Sequence, residues 1–221
     1  FLLACLLANV PHGPEQVFFA NVAHESRQVV SVKVPPVQEQ VIPDPTPEQI
    51  RAHLGCSCGL TIGHDESLSE KIAQMKTRAF PVFRTVLNDQ KAHPDEIASV
   101  FHYLAHSGCD CSAFREDARK ALGYPDSHVR RGAILFFAKY GKQEDAHFLL
   151  PVLNDQSYFT KKDAAAVVSK IGGEDDLKAF NAWLKITILI NYVDTTKHLQ
   201  ECRDTMEKRL KAASKAEAGN E

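Results

Sequence analysis

Long hydrophobic runs are missing from the body of this 221-residue chain, and so is any excess of one charge. No apolar stretch there approaches the roughly 20 residues that a bilayer core demands, so nothing in it reads as a membrane-spanning helix. Lys and Arg number 26 against 28 Asp and Glu; a net charge of −2 lacks the uncompensated cations that hold phosphate backbones, and a general nucleic-acid binder is not expected. Eleven glycines are too few for a collagen-like or glycine-linker composition. There is no Gly-rich phosphate loop, no Gly-x-Ser-x-Gly elbow and no His-Glu-x-x-His, so the commonest nucleotide, serine-hydrolase and metalloprotease signatures are absent. What is present is 44% hydrophobic residues in a chain long enough to bury a real core.

The first residues stand apart from the rest. Phe1-Leu-Leu-Ala-Cys-Leu-Leu-Ala-Asn-Val10 starts without Met and has the length of a secretory h-region that lacks its basic n-region, with a buried N-terminal strand or helical turn as the alternative. Residues 1–15 are therefore read as a signal-peptide remnant, and an exported, periplasmic or envelope-associated location is expected, with a cytoplasmic one as the alternative. Residues 16–34 alternate weakly around Val17, Phe19, Val30 and Val32, enough for two short strands. The stretch 34–47 then holds five of the 11 prolines. Proline fixes φ and removes an amide donor, so 16–46 is expected to run as an extended arm ahead of a helical domain at 47–221.

Helix punctuation begins at once. Thr46-Pro47-Glu48-Gln49 supplies a capping hydroxyl, a proline for the first turn and a Gln three residues after the cap, and Gly55 is the expected stop. Ser67-Leu-Ser-Glu70 reads as a second capping box, opening a helix through Ile72 and Met75. Helical segments follow at roughly 81–89, 94–107, 113–122, 127–140, 143–153, 158–171, 174–192 and 196–215, with almost no strand signal among them. The last carries an apolar stripe of Leu199, Cys202, Met206 and Leu210.

Two internal self-matches define the architecture. Val86-Leu-Asn-Asp-Gln90 recurs as Val152-Leu-Asn-Asp-Gln156, each between two helical segments. At an offset of about 31 residues, Val129-Arg-Arg-Gly-Ala133 with Lys139-Tyr-Gly141 aligns on Thr160-Lys-Lys-Asp-Ala164 with Lys170-Ile-Gly172. Helix pairs repeating every 30 to 45 residues are the mark of an α-solenoid, in which each pair buries its face only against its neighbours. The segment Asp126 to Gly141 resembles the second helix of a HEAT repeat: Asp in the turn, Val-Arg, Ala three residues later, an apolar pair, then apolar-Gly. In this pattern Asp126 caps the helix and pairs with a base, Ala133 allows close helix approach, and Gly141 supplies a left-handed stop. The copy at 157–172 keeps the base, the alanine and the glycine; the one at 94–108 keeps little beyond its length and Gly108.

The resemblance implies an all-α fold, a short α-solenoid of three to four HEAT-like (armadillo-type) helix pairs, closed by a charged C-terminal helix. It further implies a non-catalytic protein-binding or assembly scaffold whose partner is another protein. Some HEAT-like members are enzymes, among them bilin lyases and deoxyhypusine hydroxylases; the latter hold iron with His-Glu pairs on successive repeats. This chain has one His-Glu, His24-Glu25, outside the repeats, so that reading fails.

Cysteine placement is the chemically pointed feature. Four of the six cysteines form two Cys-x-Cys pairs, Cys56/Cys58 and Cys109/Cys111, each after an expected helix stop. His53 and His64 flank the first; His102 and His106, spaced i,i+4 on one helix face, precede the second. In an oxidising compartment the pairs would cross-link, Cys56 and Cys58 to Cys109 and Cys111, while a bridge within one Cys-x-Cys strains its short ring. In a reducing one, zinc held by the two thiolate pairs, or by His102, His106, Cys109 and Cys111 alone, is the alternative, although zinc motifs more often space cysteines by two to four residues. Ordinary loop thiols complete the set. No cofactor is expected unless zinc is bound. Cys202 reads as a small buried hydrophobe.

Arg130, Arg131, Lys161 and Lys162 form a candidate basic ladder for an acidic partner or a phosphate backbone, with pairing to the turn carboxylates Asp126 or Asp155 as the structural alternative. Trp183, Phe180, Phe136 and Phe137 fall at helical spacing and read as core, and Glu174-Asp-Asp176 as compensation of a helix dipole.

Overall fold

The computed structural model describes residues 43–56, 66–189 and 193–218, and among them every regular element is a helix. The chain divides into two units, 1–42 and 43–221, and only the second falls within the described residues. The expected signal remnant and most of the extended arm lie outside them. No helix among the described residues is long and apolar enough to cross a membrane.

Helix α1 (Pro47–Cys56) starts on the reciprocal cap that its sequence announces: the Thr46 amide donates to Gln49 Oε1 at 2.8 Å and the Gln49 amide to Thr46 Oγ1 at 3.2 Å. It runs one residue past Gly55, which does not stop it. Helix α2 (Glu66–Met75) begins one residue before Ser67, so that serine lies inside the first turn rather than at the cap. Lys76, in the left-handed region at φ 51°, ends α2 and leads through a 3₁₀ turn into α3 (Phe80–Asn88). Helix α4 (Pro94–His106) is opened by His93, whose side chain accepts from the Asp95 amide while Glu96 reaches back to the His93 amide. Helix α5 (Arg115–Ala121) follows a 3₁₀ turn at 112–114, and α6 (Ser127–Tyr140) is capped by Asp126, which accepts from the His128 amide at 2.7 Å. The expected helix at 143–153 is instead a 3₁₀ turn, the short α7 (Ala146–Leu149) and a second 3₁₀ segment at 150–154, because Pro151 cannot donate to an α-helical ladder. Helices α8 (Tyr158–Ile171), α9 (Glu174–Leu189) and α10 (Val193–Ala218) complete the chain.

Packing follows a regular succession. α3 packs on α4, α5 on α6, the α7 region on α8 and α9 on α10, while α4 packs on α6, α6 on α8 and α8 on α10. The core among these helices holds Phe101, Phe114, Phe136, Phe137 and Phe180, all fully buried. At roughly 2 kcal/mol or more per buried aromatic, these rings supply much of the drive for assembly. Leu199, Cys202 and Met206 of the α10 stripe are buried, and Leu210 is half-buried against the core.

The repeated Val-Leu-Asn-Asp-Gln segments do the same job at two corners. The amides of Asp89 and Asp155 close turns onto Val86 and Val152, and their carboxylates accept from the Lys91 amide at 2.9 Å and the Ser157 amide at 2.7 Å. Each carboxylate also takes an arginine from an earlier helix, Arg51 at 2.6 Å for Asp89 and Arg130 at 2.8 Å for Asp155. Gly141 departs from the expected left-handed stop. It is extended at φ −66°, as is Gly172 at φ −67°. A Cβ on Gly141 would collide with the Phe137 carbonyl oxygen and lie 3.0 Å from Ile171 Cδ1; one on Gly172 would lie 2.6 Å from Met206 Cε and 2.8 Å from Val168 O. Both glycines are there for close approach. Among the described residues the left-handed glycine is Gly108, at φ 66°, after α4.

Candidate functional site

The loop that leaves α4 gathers the second cysteine pair. Gly108 reverses the chain so that Cys109 and Cys111 return beneath the last turn of α4, with their sulfurs 3.9 Å apart. Cys111 is fully buried, close to the carbonyl oxygens of Leu104 (3.5 Å) and Cys109 (3.4 Å). Cys109 is half-buried and donates to Ser107 Oγ at 3.1 Å, while the same oxygen lies 3.1 Å from the Cys111 sulfur. Burial pushes the Cys111 thiol above its ordinary value, with the neighbouring Cys109 adding to the effect against hydrogen bonds that oppose it. Asp110, between the two, accepts from the Ser112 amide at 2.9 Å, and this bond holds its carboxyl below the usual range.

His102 and His106 do share a face of α4, with ring centroids 4.4 Å apart and the His106 ring against the His102 carbonyl at 2.8 Å. That face is exposed, whereas Cys111 packs under Leu104 on the buried side of the helix. Partial burial and the neighbouring His106 lower the His102 pKa. The four-ligand set of His102, His106, Cys109 and Cys111 is therefore not formed, and no group of three or more His, Cys, Asp or Glu among the described residues is placed to hold a metal. The cause is helix geometry: residues two apart along α4 point to opposite sides. Cys109, Cys111 and Cys202 carry free thiols. The Cys56 side chain, Cys58 and His64 lie outside the described residues, so the expected cross-link and the two-pair zinc set do too.

The basic ladder is largely consumed within the chain. Arg130 binds both oxygens of Asp155 and donates to the carbonyls of Tyr124 (2.7 Å) and Pro125 (2.6 Å), tying α6 to the corner before α8. For Asp155, burial opposes ionisation, but hydrogen bonds from Arg130 and the Ser157 amide outweigh it and hold the carboxyl below the ordinary aspartate range. Arg131 bonds to Asp163 at 2.9 Å and lies over the Phe159 ring, 5.5 Å from its centroid. Lys161 and Lys162 are half-buried on α8.

Two clusters were not legible beforehand. Asp145, fully buried, binds Arg119 at 2.6 Å and the Lys142 amide at 2.8 Å, with Arg115 3.4 Å away. His53, read as a neighbour of Cys56, is instead buried against Ser69 Oγ (2.8 Å) and the Tyr103 hydroxyl (2.9 Å), locking α1, α2 and α4 together.

A second surface stands out for exposed aromatics. Phe159 is 59% exposed and Tyr158 40%, their rings meeting edge to face at 5.4 Å. Leu135, one turn along α6 from Arg131, is also exposed. No protein-family model, curated protein or solved structure matches this chain.

Proposed function

We propose that the chain is a non-catalytic protein-binding scaffold, built as a short HEAT-like α-solenoid, with a partner protein docking across α6 and α8. The succession of α4, α6, α8 and α10, each packed on the next and each carrying another helix, supports the architecture. The observation that carries the function is the exposed Tyr158–Phe159 pair on α8, with Arg131 of α6 over the Phe159 ring and an exposed Leu135 one turn further along α6. Aromatic and arginine side chains dominate binding energy at protein interfaces, and solvent-facing aromatics on a rigid helix pair give a fold nothing in stability. Engagement of Arg130 with Asp155 and of Arg131 with Asp163 argues against a nucleic-acid surface there. The exported location proposed for this scaffold rests on the N-terminal apolar segment alone.

Affinity isolation of the full chain from its native cells, compared among variants, tests this reading. One protein should co-purify with the wild type and with Lys120→Ala, a substitution on another exposed surface. Phe159→Ala should reduce its recovery at least tenfold, while stability stays within about 0.5 kcal/mol. Equal recovery with all three chains, or none with the wild type, overturns the proposal.

A further inference from the structure

We propose that Cys109 and Cys111 form a two-electron thiol–disulfide site whose co-reactant is a small-molecule disulfide, with Cys109 as the attacking thiol and Cys111 as the resolving one. The inference is independent of the scaffold reading.

Three observations carry it. The sulfurs already touch at 3.9 Å, and closing to the roughly 2.05 Å of a disulfide requires a shift of about 2 Å in a loop that pivots on left-handed Gly108. The two thiols differ in access: Cys109 is half-buried and reachable, Cys111 is sealed under Leu104. Only the first can meet a substrate, and only the second stands within reach of the product. Finally, the site has its own polar setting. Ser107 Oγ contacts both sulfurs, at 3.1 Å each. Asp110, between the cysteines, accepts from the Ser112 amide at 2.9 Å and so fixes the turn that holds the two sulfurs together.

The chemistry balances as ordinary exchange. The Cys109 thiol loses its proton to solvent, and its sulfur attacks one sulfur of the disulfide. A mixed disulfide forms, and the first small thiolate leaves. Cys111, losing its proton in turn, attacks the Cys109 sulfur and expels the second. Two thiols of the chain are oxidised by two electrons, and one disulfide is reduced to two thiols. Strain in the short Cys-x-Cys ring makes the resulting bridge easy to reduce, which suits a reversible site rather than a structural staple.

The full chain, equilibrated in glutathione and glutathione disulfide at graded ratios, alkylated and mapped by mass spectrometry, tests this. The peptide spanning 109–111 should become two hydrogens lighter with no partner peptide attached, reverting fully as reduced glutathione rises, while buried Cys202 remains alkylatable after unfolding. Cys111→Ala should accumulate one glutathione on Cys109, and Cys109→Ala should slow any reaction at Cys111 at least tenfold. Several outcomes overturn the proposal. They are peptides linking 109 or 111 to 56 or 58, thiols that stay reduced at every ratio, and protection of both thiols only when zinc is added and lost with chelator.

Discussion

The corners at 86–90 and 152–156 are built from the same five residues, yet they differ in what surrounds them. Asp89 and its partner Arg51 have side chains 29% and 36% exposed, and Arg51 is shared with Glu96. Asp155 and Arg130 are 5% and 15% exposed, and the guanidinium also donates to two backbone carbonyls, those of Tyr124 and Pro125. One pentapeptide thus makes one local turn, while its energetic weight is set by the tertiary setting. An exposed ion pair is screened and contributes little; a buried one is costly to break because the surviving charge has nowhere to go.

The largest effect should come from removing the buried partner. Asp155→Ala removes both carboxylate bonds of a largely buried Arg130 and leaves it only the more remote charge of Asp126, so denaturant unfolding should register a loss of about 3 kcal/mol. Asp89→Ala should give a clearly smaller shift of the urea midpoint, since Glu96 still holds Arg51 at 3.0 Å. Equal midpoints for the two variants would break the comparison and mean that both corners act only as backbone turns. Asp145→Ala, which strips the carboxylate between Arg115 and Arg119, belongs with Asp155 in size.

The glycines sharpen the same point at intermediate magnitude. Gly108 is left-handed with open space where a Cβ would stand, whereas Gly141 is extended and crowded. Gly108→Asn should be tolerated, because asparagine visits the left-handed region readily. Gly141→Asn and Gly141→Ala should each lose about 1–3 kcal/mol through overpacking against the Phe137 carbonyl, read by thermal unfolding. Gly172→Ala should lose less, because the Met206 end can shift and the backbone oxygen it meets, Val168 O at 2.8 Å, stands further off than Phe137 O does from Gly141. A tolerated Gly141→Asn with a damaging Gly108→Asn would reverse the assignment.

These contrasts mark where sequence reading succeeds and where it stops. The helices from 94 onward, apart from 143–153, were legible because their signals are local: the Asp126 cap before α6, the basic, alanine and glycine positions repeated in α8, and helix-length segments of 13 or 14 residues. The burial of Phe136, Phe137 and Phe180 was legible from their spacing. Asp145 was not, because Gln143-Glu-Asp145 looks like any solvated acidic turn until α5 lays two arginines across it. His53 was missed for the same reason, since Ser69 and Tyr103 lie 16 and 50 residues away. For His102 and His106 the i,i+4 face was read correctly, but its direction relative to Cys111 depends on which side of α4 the core occupies. The Gly141 error has another source: a helix-terminal glycine is consistent with two different geometries, and only the neighbouring α8 distinguishes them.

The smallest effect separates the two corners by acid and salt. A hydrogen bond from the Lys91 amide, followed by one from Arg51, holds Asp89 below the ordinary aspartate range; at Asp155 the bonds from Arg130 and Ser157 prevail over burial to the same end. For a carboxyl depressed in the folded state, acidification protonates the unfolded chain first. The stabilisation is therefore fully present above the unfolded value of about 3.9 and is lost as pH falls through the folded value. Melting temperatures of the wild type should decline below about pH 4, and Asp155→Asn and Asp89→Asn should each flatten that decline. Salt then distinguishes them. At 1 M the screening length is about 3 Å, which suppresses the exposed Arg51–Asp89 pair but reaches the buried Arg130–Asp155 pair far less. In high salt the flattening caused by Asp89→Asn should shrink to the part that the Lys91 amide bond maintains, while that caused by Asp155→Asn should change far less. If salt erases both differences, the Asp155 pair is as accessible to solvent ions as the Asp89 pair, and its 5% exposure does not translate into protection.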